Sequence, residues 1–98
     1  MKVFISHPMH GKTDAEVEEI REKALQYLKS TYGNDITLID NYHHKNAPKD
    51  AGRLWHLGAS IQQMETADAF YFCGDYKKSY GCLVERLIVM LYDLKLLK

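Results

Sequence analysis

The stretch Ser79-Tyr80-Gly81-Cys82-Leu83-Val84-Glu85 sets a hydroxyl, a glycine and a carboxylate at the entrance of an apolar helical pattern. Gly81 lets backbone approach a ligand closely, and the helix start offers free N–H groups and a positive dipole end. With the Ser79 hydroxyl beside them, an anionic group can sit there. Glu85, about one turn in, can attack or electrostatically stabilise a sugar carbon with oxocarbenium character. The plainer reading of the same spacing is an N-capping Ser79 and a solvated Glu85. Asp75, directly after an apolar strand pattern, is placed to act as a general acid or to hold a sugar hydroxyl. It can equally be a turn aspartate bonded to its own backbone. A second cluster, Ser6-His7-Pro8-Met9-His10-Gly11-Lys12, fills another strand-to-helix junction, where backbone N–H groups and Lys12 can meet a phosphate or sugar hydroxyls. It lacks the spacing of a P-loop.

The five histidines do not form a recognised metal set. His7-x-x-His10 and His43-His44 have no carboxylate or cysteine partner at a ligand spacing, so no metal and no cofactor is expected. Cys82 stands near a helix start without a base beside it in sequence, which argues against a nucleophilic thiol. Trp55, Tyr27, Tyr71 and Tyr92 read as core or interface side chains. Lys77-Lys78 is a solvated basic pair that can meet an anionic ligand. Asp68, before a strand, belongs to the end of the sheet remote from ligand.

The elements that must position these groups follow from hydrophobic spacing. Lys2 to Ile5 is a short first strand. Thr13-Asp14-Ala15-Glu16 matches a capping box, and Val17, Ile20, Ala24 and Leu28 continue at helical spacing to a stop near Tyr32-Gly33-Asn34. Ile36 to Ile39 is a second strand, followed by a long polar loop over 41–52. Leu54, Leu57, Ile61 and Met64 mark the apolar stripe of a second helix. Ala69 to Cys73 is aromatic and uncharged, as a buried central strand should be. A third helix runs from about Tyr80 to Tyr92, and Lys95 to Lys98 is expected as a short fourth strand.

Alternating strands and helices imply right-handed crossovers and a parallel sheet. The expectation is one α/β domain over 1–98: a Rossmann-like, flavodoxin-like three-layer sandwich of about four parallel strands in order 2-1-3-4. In such sheets ligand lies beyond the carboxyl ends of the strands, at the switch point between strands 1 and 3. That gathers loops 6–13, 41–52 and 74–81. The 98 residues, 46% of them apolar, suit one core, and 13 basic against 13 acidic residues leave no net charge. A neutral chain has no global attraction for a nucleic acid polymer or an anionic membrane. No apolar run approaches the length of a bilayer span. Two cysteines fit reduced thiols, and a cytoplasmic location is expected.

Three stretches resemble the nucleoside 2-deoxyribosyltransferase-like superfamily, and most closely its small bacterial and phage members of unknown function. Residues 2–13 are similar to its opening strand and loop. Met64-Glu65-Thr66-Ala67-Asp68-Ala69-Phe70-Tyr71-Phe72 is similar to its third strand, and 79–85 to its catalytic turn. The resemblance implies a Rossmann-like sheet and N-glycosidic chemistry, with Glu85 as the nucleophile at the anomeric carbon. Asp75 is a loose match to an aspartate after strand 3. The transferases usually carry an aspartate two residues before the glycine. Ser79 in that place resembles the branch that hydrolyses deoxynucleoside 5′-monophosphates, where the serine helps hold phosphate.

Three functions follow as expectations. The first is cleavage of the N-glycosidic bond of a nucleoside or its 5′-monophosphate, by hydrolysis rather than base exchange. The second is a binding protein that holds a nucleotide or an ADP-ribose-like signal without cleaving it. The third is a protein-interaction module without small ligand. A homo-oligomer, most simply a two-fold dimer, is expected because the third helix is too apolar to face solvent.

Overall fold

The computed structural model describes residues 1–40 and 46–98, so His43 and His44 lie outside the described residues. The chain orders as β1 (Lys2–Ser6), α1 (Asp14–Tyr32), β2 (Thr37–Leu38), α2 (Arg53–Met64), β3 (Ala69–Phe72) and α3 (Tyr80–Leu91), with a 3-10 turn at Tyr76–Lys78. The strands form a parallel sheet in order β2-β1-β3. The expected switch point between the first and third strands is therefore present.

The expected fourth strand is reduced to one parallel bridge, Phe70 to Leu96. Phe70 N–H donates to Lys95 O at 2.9 Å and Leu97 N–H to Phe70 O at 2.8 Å. Only one residue of β3 is paired on that side, so the ladder cannot propagate. The second strand is likewise shorter than its apolar run, although Ile39 N–H still donates to Val3 O at 2.9 Å.

Alternation along β1 decides what each face holds. Val3 and Ile5 pack with Ala24 and Leu28 of α1, together with Ile36, Ala69 and Leu97. Phe4 packs on the opposite face with Met64 of α2, Phe70 and Val89 of α3. Helices thus cover both faces of the sheet. Ser6, two residues after Phe4, is turned by the same period toward α2 and α3, and it is fully buried there.

Local chemistry explains the helix limits. Thr13 and Glu16 form both bonds of the expected capping box, at 3.1 and 3.0 Å. Gly33 N–H closes α1 on Lys29 O at 3.0 Å. One expected helix face is corrected at its first member. Leu54 stands 83% exposed, and the inner face of α2 is built on Leu57, Ser60, Ile61 and Met64. On α3 the buried stripe is Cys82, Glu85 and Val89, while Leu83, Val84, Leu87, Met90 and Leu91 are exposed. A helix that is apolar nearly all round gives no periodicity from which to choose its inner face. At the other end of the sheet, the Asp68 carboxylate accepts from Lys2 N–H at 2.7 Å, which closes the start of β1. No helix among the described residues is long and apolar enough to cross a membrane.

Candidate functional site

Ser6 ends β1, and its hydroxyl donates to Glu85 Oε1 at 2.7 Å. Glu85 sits on α3 between Cys82 and Val89 and is only 6% exposed. Burial raises its carboxyl pKa to about 7, and the Ser6 hydrogen bond pulls in the other direction by favouring the ionised form. A carboxyl poised near neutrality inside a hollow is equipped for nucleophilic or proton-transfer work. The solvated-helix reading of Glu85 is therefore excluded.

The hollow in front of Glu85 has a volume of about 430 Å³. The loop after β1 supplies His7, Met9 and His10. The start of α2 supplies Ala51, Gly52, Arg53, His56, Leu57 and Ser60, and the start of α3 supplies Ser79, Gly81 and Cys82. Its floor combines apolar wall with a few convergent polar groups, the usual make-up of a small-molecule site.

A second hollow, about 500 Å³, opens beside it. It shares His10, Arg53, Ser79 and Gly81 with the first and adds Pro8, Lys12, Asp75, Lys78 and Tyr80. Lys12, Arg53 and Lys78 give it three cations against the single carboxylate of Asp75. Ser79 is the N-cap of α3, and its oxygen accepts from Cys82 N–H at 3.4 Å. Ser79 thus lines the hollow at the positive end of a twelve-residue helix. The excess of positive charge makes this second hollow, the anion hollow below, more favourable to an anionic group than to a cation.

Backbone geometry holds the two loops together. Gly74 has φ of +65°, and a Cβ there would stand 3.5 Å from Pro8 Cδ. Glycine adopts that conformation without strain, and the loop after β3 can then rest on the loop after β1. His7 is buried, and its Nδ1–H donates to Pro8 O at 3.2 Å. Burial lowers the His7 pKa, only partly offset by that bond, so its ring is neutral at neutral pH. Both thiols are free, and burial raises both; Cys73 reaches about 11. Neither is an activated nucleophile.

Scans of the chain against protein-family models, curated proteins and solved structures find no match. The site must therefore be read from its own geometry.

The structure gathers His7, Met9, His10, Ser79, Gly81 and Glu85 at one hollow, with Ser6 bonded to Glu85 behind it. Pro8 and Lys12 belong to the anion hollow. Gly11 lines neither; with φ of +76° it shapes the loop. Asp75 lines the anion hollow and is not among the residues around Glu85. The four residues of β3 end before it, and it caps the 3-10 turn at Tyr76–Lys78. Sequence reasoning missed Arg53, His56, Leu57 and Ser60. Their spacing of i, i+3, i+4 and i+7 on α2 was a usable signal, because it puts a cation, an imidazole and a hydroxyl on one helical face. Among the described residues no three His, Cys, Asp or Glu side chains converge as a metal site.

Proposed function

We propose that this chain cleaves the N-glycosidic bond of a nucleoside 5′-monophosphate, with Glu85 as nucleophile and water as acceptor. The observation that carries the reading is the buried Glu85 carboxyl, held by Ser6 at 2.7 Å in a hollow joined to a cationic one. The phosphate is assigned to Lys12, Arg53, Lys78, Ser79 and the start of α3. The sugar then lies over Glu85, and the base rests on Met9, Ala51 and Leu57. The Glu85 carboxylate attacks C1′, the C1′–N bond breaks, and its electron pair leaves with the base, which takes up a proton. Water then displaces Glu85 from C1′, returning the electron pair to the carboxylate and giving up a proton. Asp75, on the anion hollow, serves in binding rather than in that proton transfer.

The reading places the chain with the nucleoside 2-deoxyribosyltransferase-like superfamily that residues 2–13, 64–72 and 79–85 resemble. It treats the sheet as a reduced Rossmann-like sandwich of order 2-1-3-4, whose fourth strand survives as the Leu96 bridge on the outer edge of β3. It also assigns the protein to the reducing cytoplasm, in keeping with two free thiols.

Two copies are proposed to pair through α3. The exposed Tyr80, Leu83, Val84, Leu87, Met90 and Leu91 of α3, continued in sequence by Tyr92, leave on the order of 800 Å² of side-chain surface in solvent. That exceeds the usual apolar patch of a monomer and reaches the ~800 Å² per partner of a stable interface. The α3 members of the patch are uncharged, so two identical faces meet without repulsion.

The test is chromatographic detection of free base from the four deoxynucleoside 5′-monophosphates and their nucleosides. Wild type releases base from a monophosphate, and Glu85→Gln lowers the rate at least a hundredfold. Lys12→Ala with Lys78→Ala raises KM for the monophosphate about tenfold or more and leaves the nucleoside unaffected. Release by Glu85→Gln at the wild-type rate refutes the nucleophile. A second reading, binding without cleavage, draws on the same Glu85, which near pH 7 is only partly ionised. Intact nucleotide recovered after tight binding supports it.

A further inference from the structure

The departing base needs a proton, and Asp75 lines the anion hollow but not the one in front of Glu85, so the groups that do line the latter are the nearer candidates. Besides Glu85 itself, the titratable or charged groups that line that hollow among the described residues are His7, His10, Arg53, His56 and Cys82. Arg53 lines both hollows and is assigned above to the phosphate. The Cys82 thiol is pushed up by burial, which makes it a weak acid. His7 is buried and neutral, with one ring nitrogen committed to Pro8 O. His10 lines both hollows and so stands where they join, at the phosphate end.

His56 lines the Glu85 hollow and not the anion hollow. Its place on α2 gives it a direction as well. Arg53, at the junction, opens the helix, and His56 follows three residues later on the same face, about one turn or 5 Å further from the phosphate end. That is the displacement expected of a group that meets the sugar–base side of a ligand whose phosphate lies at Arg53. Trp55 stands edge-on to the His56 ring with centroids 5.2 Å apart, which limits the orientations open to the imidazole.

We propose that His56 is the general acid of this site. Resting on the N-glycosidase reading above, the step is as follows. As Glu85 attacks C1′ and the C1′–N bond breaks, the imidazolium N–H of His56 passes its proton to the leaving nitrogen. The neutral imidazole then takes a proton from the water that displaces Glu85, and both residues return to their starting states. One water is consumed, and one base and one sugar phosphate are formed.

The test compares two leaving groups on one sugar phosphate: a natural base, and 4-nitrophenol, which departs without a proton. His56→Gln and the shorter His56→Asn are assayed beside wild type and Glu85→Gln, each shown folded by its thermal midpoint. Both His56 variants should lose a hundredfold or more on the natural base. On the nitrophenyl substrate their kcat/KM, which reports the step that releases nitrophenol without a proton, should stay within about threefold of wild type, while kcat falls because the water step has lost its base; leaving groups are compared in kcat/KM. Glu85→Gln should lose activity on both. Equal losses by the His56 variants on both leaving groups, or none on either, overturn the assignment while the glycosidase reading stands. Failure of wild type to release either base or nitrophenol overturns the reading, and His56 as its acid with it.

Discussion

Ser6 and Glu85 are 79 positions apart in the chain and joined by a 2.7 Å hydrogen bond between buried side chains. The bond couples the end of the central strand to the second turn of the last helix. It also opposes the burial that lifts the Glu85 carboxyl to about 7. Ser6→Ala removes a donor that favours the carboxylate and leaves Oε1 without that partner. The Glu85 titration midpoint, followed by carboxyl-labelled NMR, should move further above 7, and stability at pH 8 should fall by about 1–3 kcal/mol. A midpoint at or below that of wild type would contradict the bond's role.

The Glu85 shift also makes stability depend on pH, with a definite sign. The folded carboxyl holds its proton to about 7 and the unfolded one only to about 4.5. Below 4.5 both states are protonated and nothing is lost. Between 4.5 and 7 the folded state binds more protons, so this residue's contribution to stability declines as pH rises, and the loss is complete above 7. The full difference is on the order of 3 kcal/mol. Glu85→Gln, which cannot ionise, should match wild type near pH 4 and be more stable by roughly 1–3 kcal/mol at pH 8. Urea unfolding at the two pH values checks this; an equal difference at both would remove Glu85 as the cause.

Gly74 carries the contact between the two ligand loops. Alanine there meets both a positive φ and Pro8 Cδ at 3.5 Å. Gly74→Ala should cost about 1–2 kcal/mol. That cost comes from the positive φ, since 3.5 Å to Pro8 Cδ is ordinary contact, and any backbone adjustment that relieves it would shift the loop after β3 and weaken the nucleotide binding proposed above. Gly81→Ala makes a useful contrast. Its added methyl meets only Leu57 Cδ1 at 3.8 Å and Ser79 Oγ at 4.0 Å, so the fold should hold while the junction of the hollows narrows. Denaturant midpoints and calorimetric titration with a nucleoside monophosphate separate the two effects.

The outer face of α3 predicts an oligomeric state. Leu87→Asp places a charge in the middle of the exposed apolar patch without touching the buried stripe of Cys82, Glu85 and Val89. Light scattering coupled to size exclusion should read a dimer for wild type and a monomer for the variant, with unchanged helicity. A monomeric wild type at tens of micromolar would remove the dimer.

Taken alone, the amino-acid sequence determined the local elements and their parallel order. The Thr13–Glu16 capping box, the Gly33 stop and the apolar runs at 2–5 and 69–72 depend on chemistry among near neighbours, which spacing records. It also pointed to the loops after β1 and β3, because a parallel sheet places its crevice at those ends, and residues of both loops line the hollow in front of Glu85. Only the tertiary structure decided which way α3 turns. Leu83, Val84 and Leu87 are the better hydrophobes, yet they face solvent while Glu85 is buried. Ser6 supplies the reason: strand alternation forces this polar residue into the same face as Phe4, and the helix meets it with its one carboxylate. The role of α2 as a wall of the site, with Arg53 and His56, was decided at the same level, since it depends on how α2 and α3 share one face of the sheet. So was the loss of the fourth strand, where one bridge at Phe70 is all that the edge of β3 sustains.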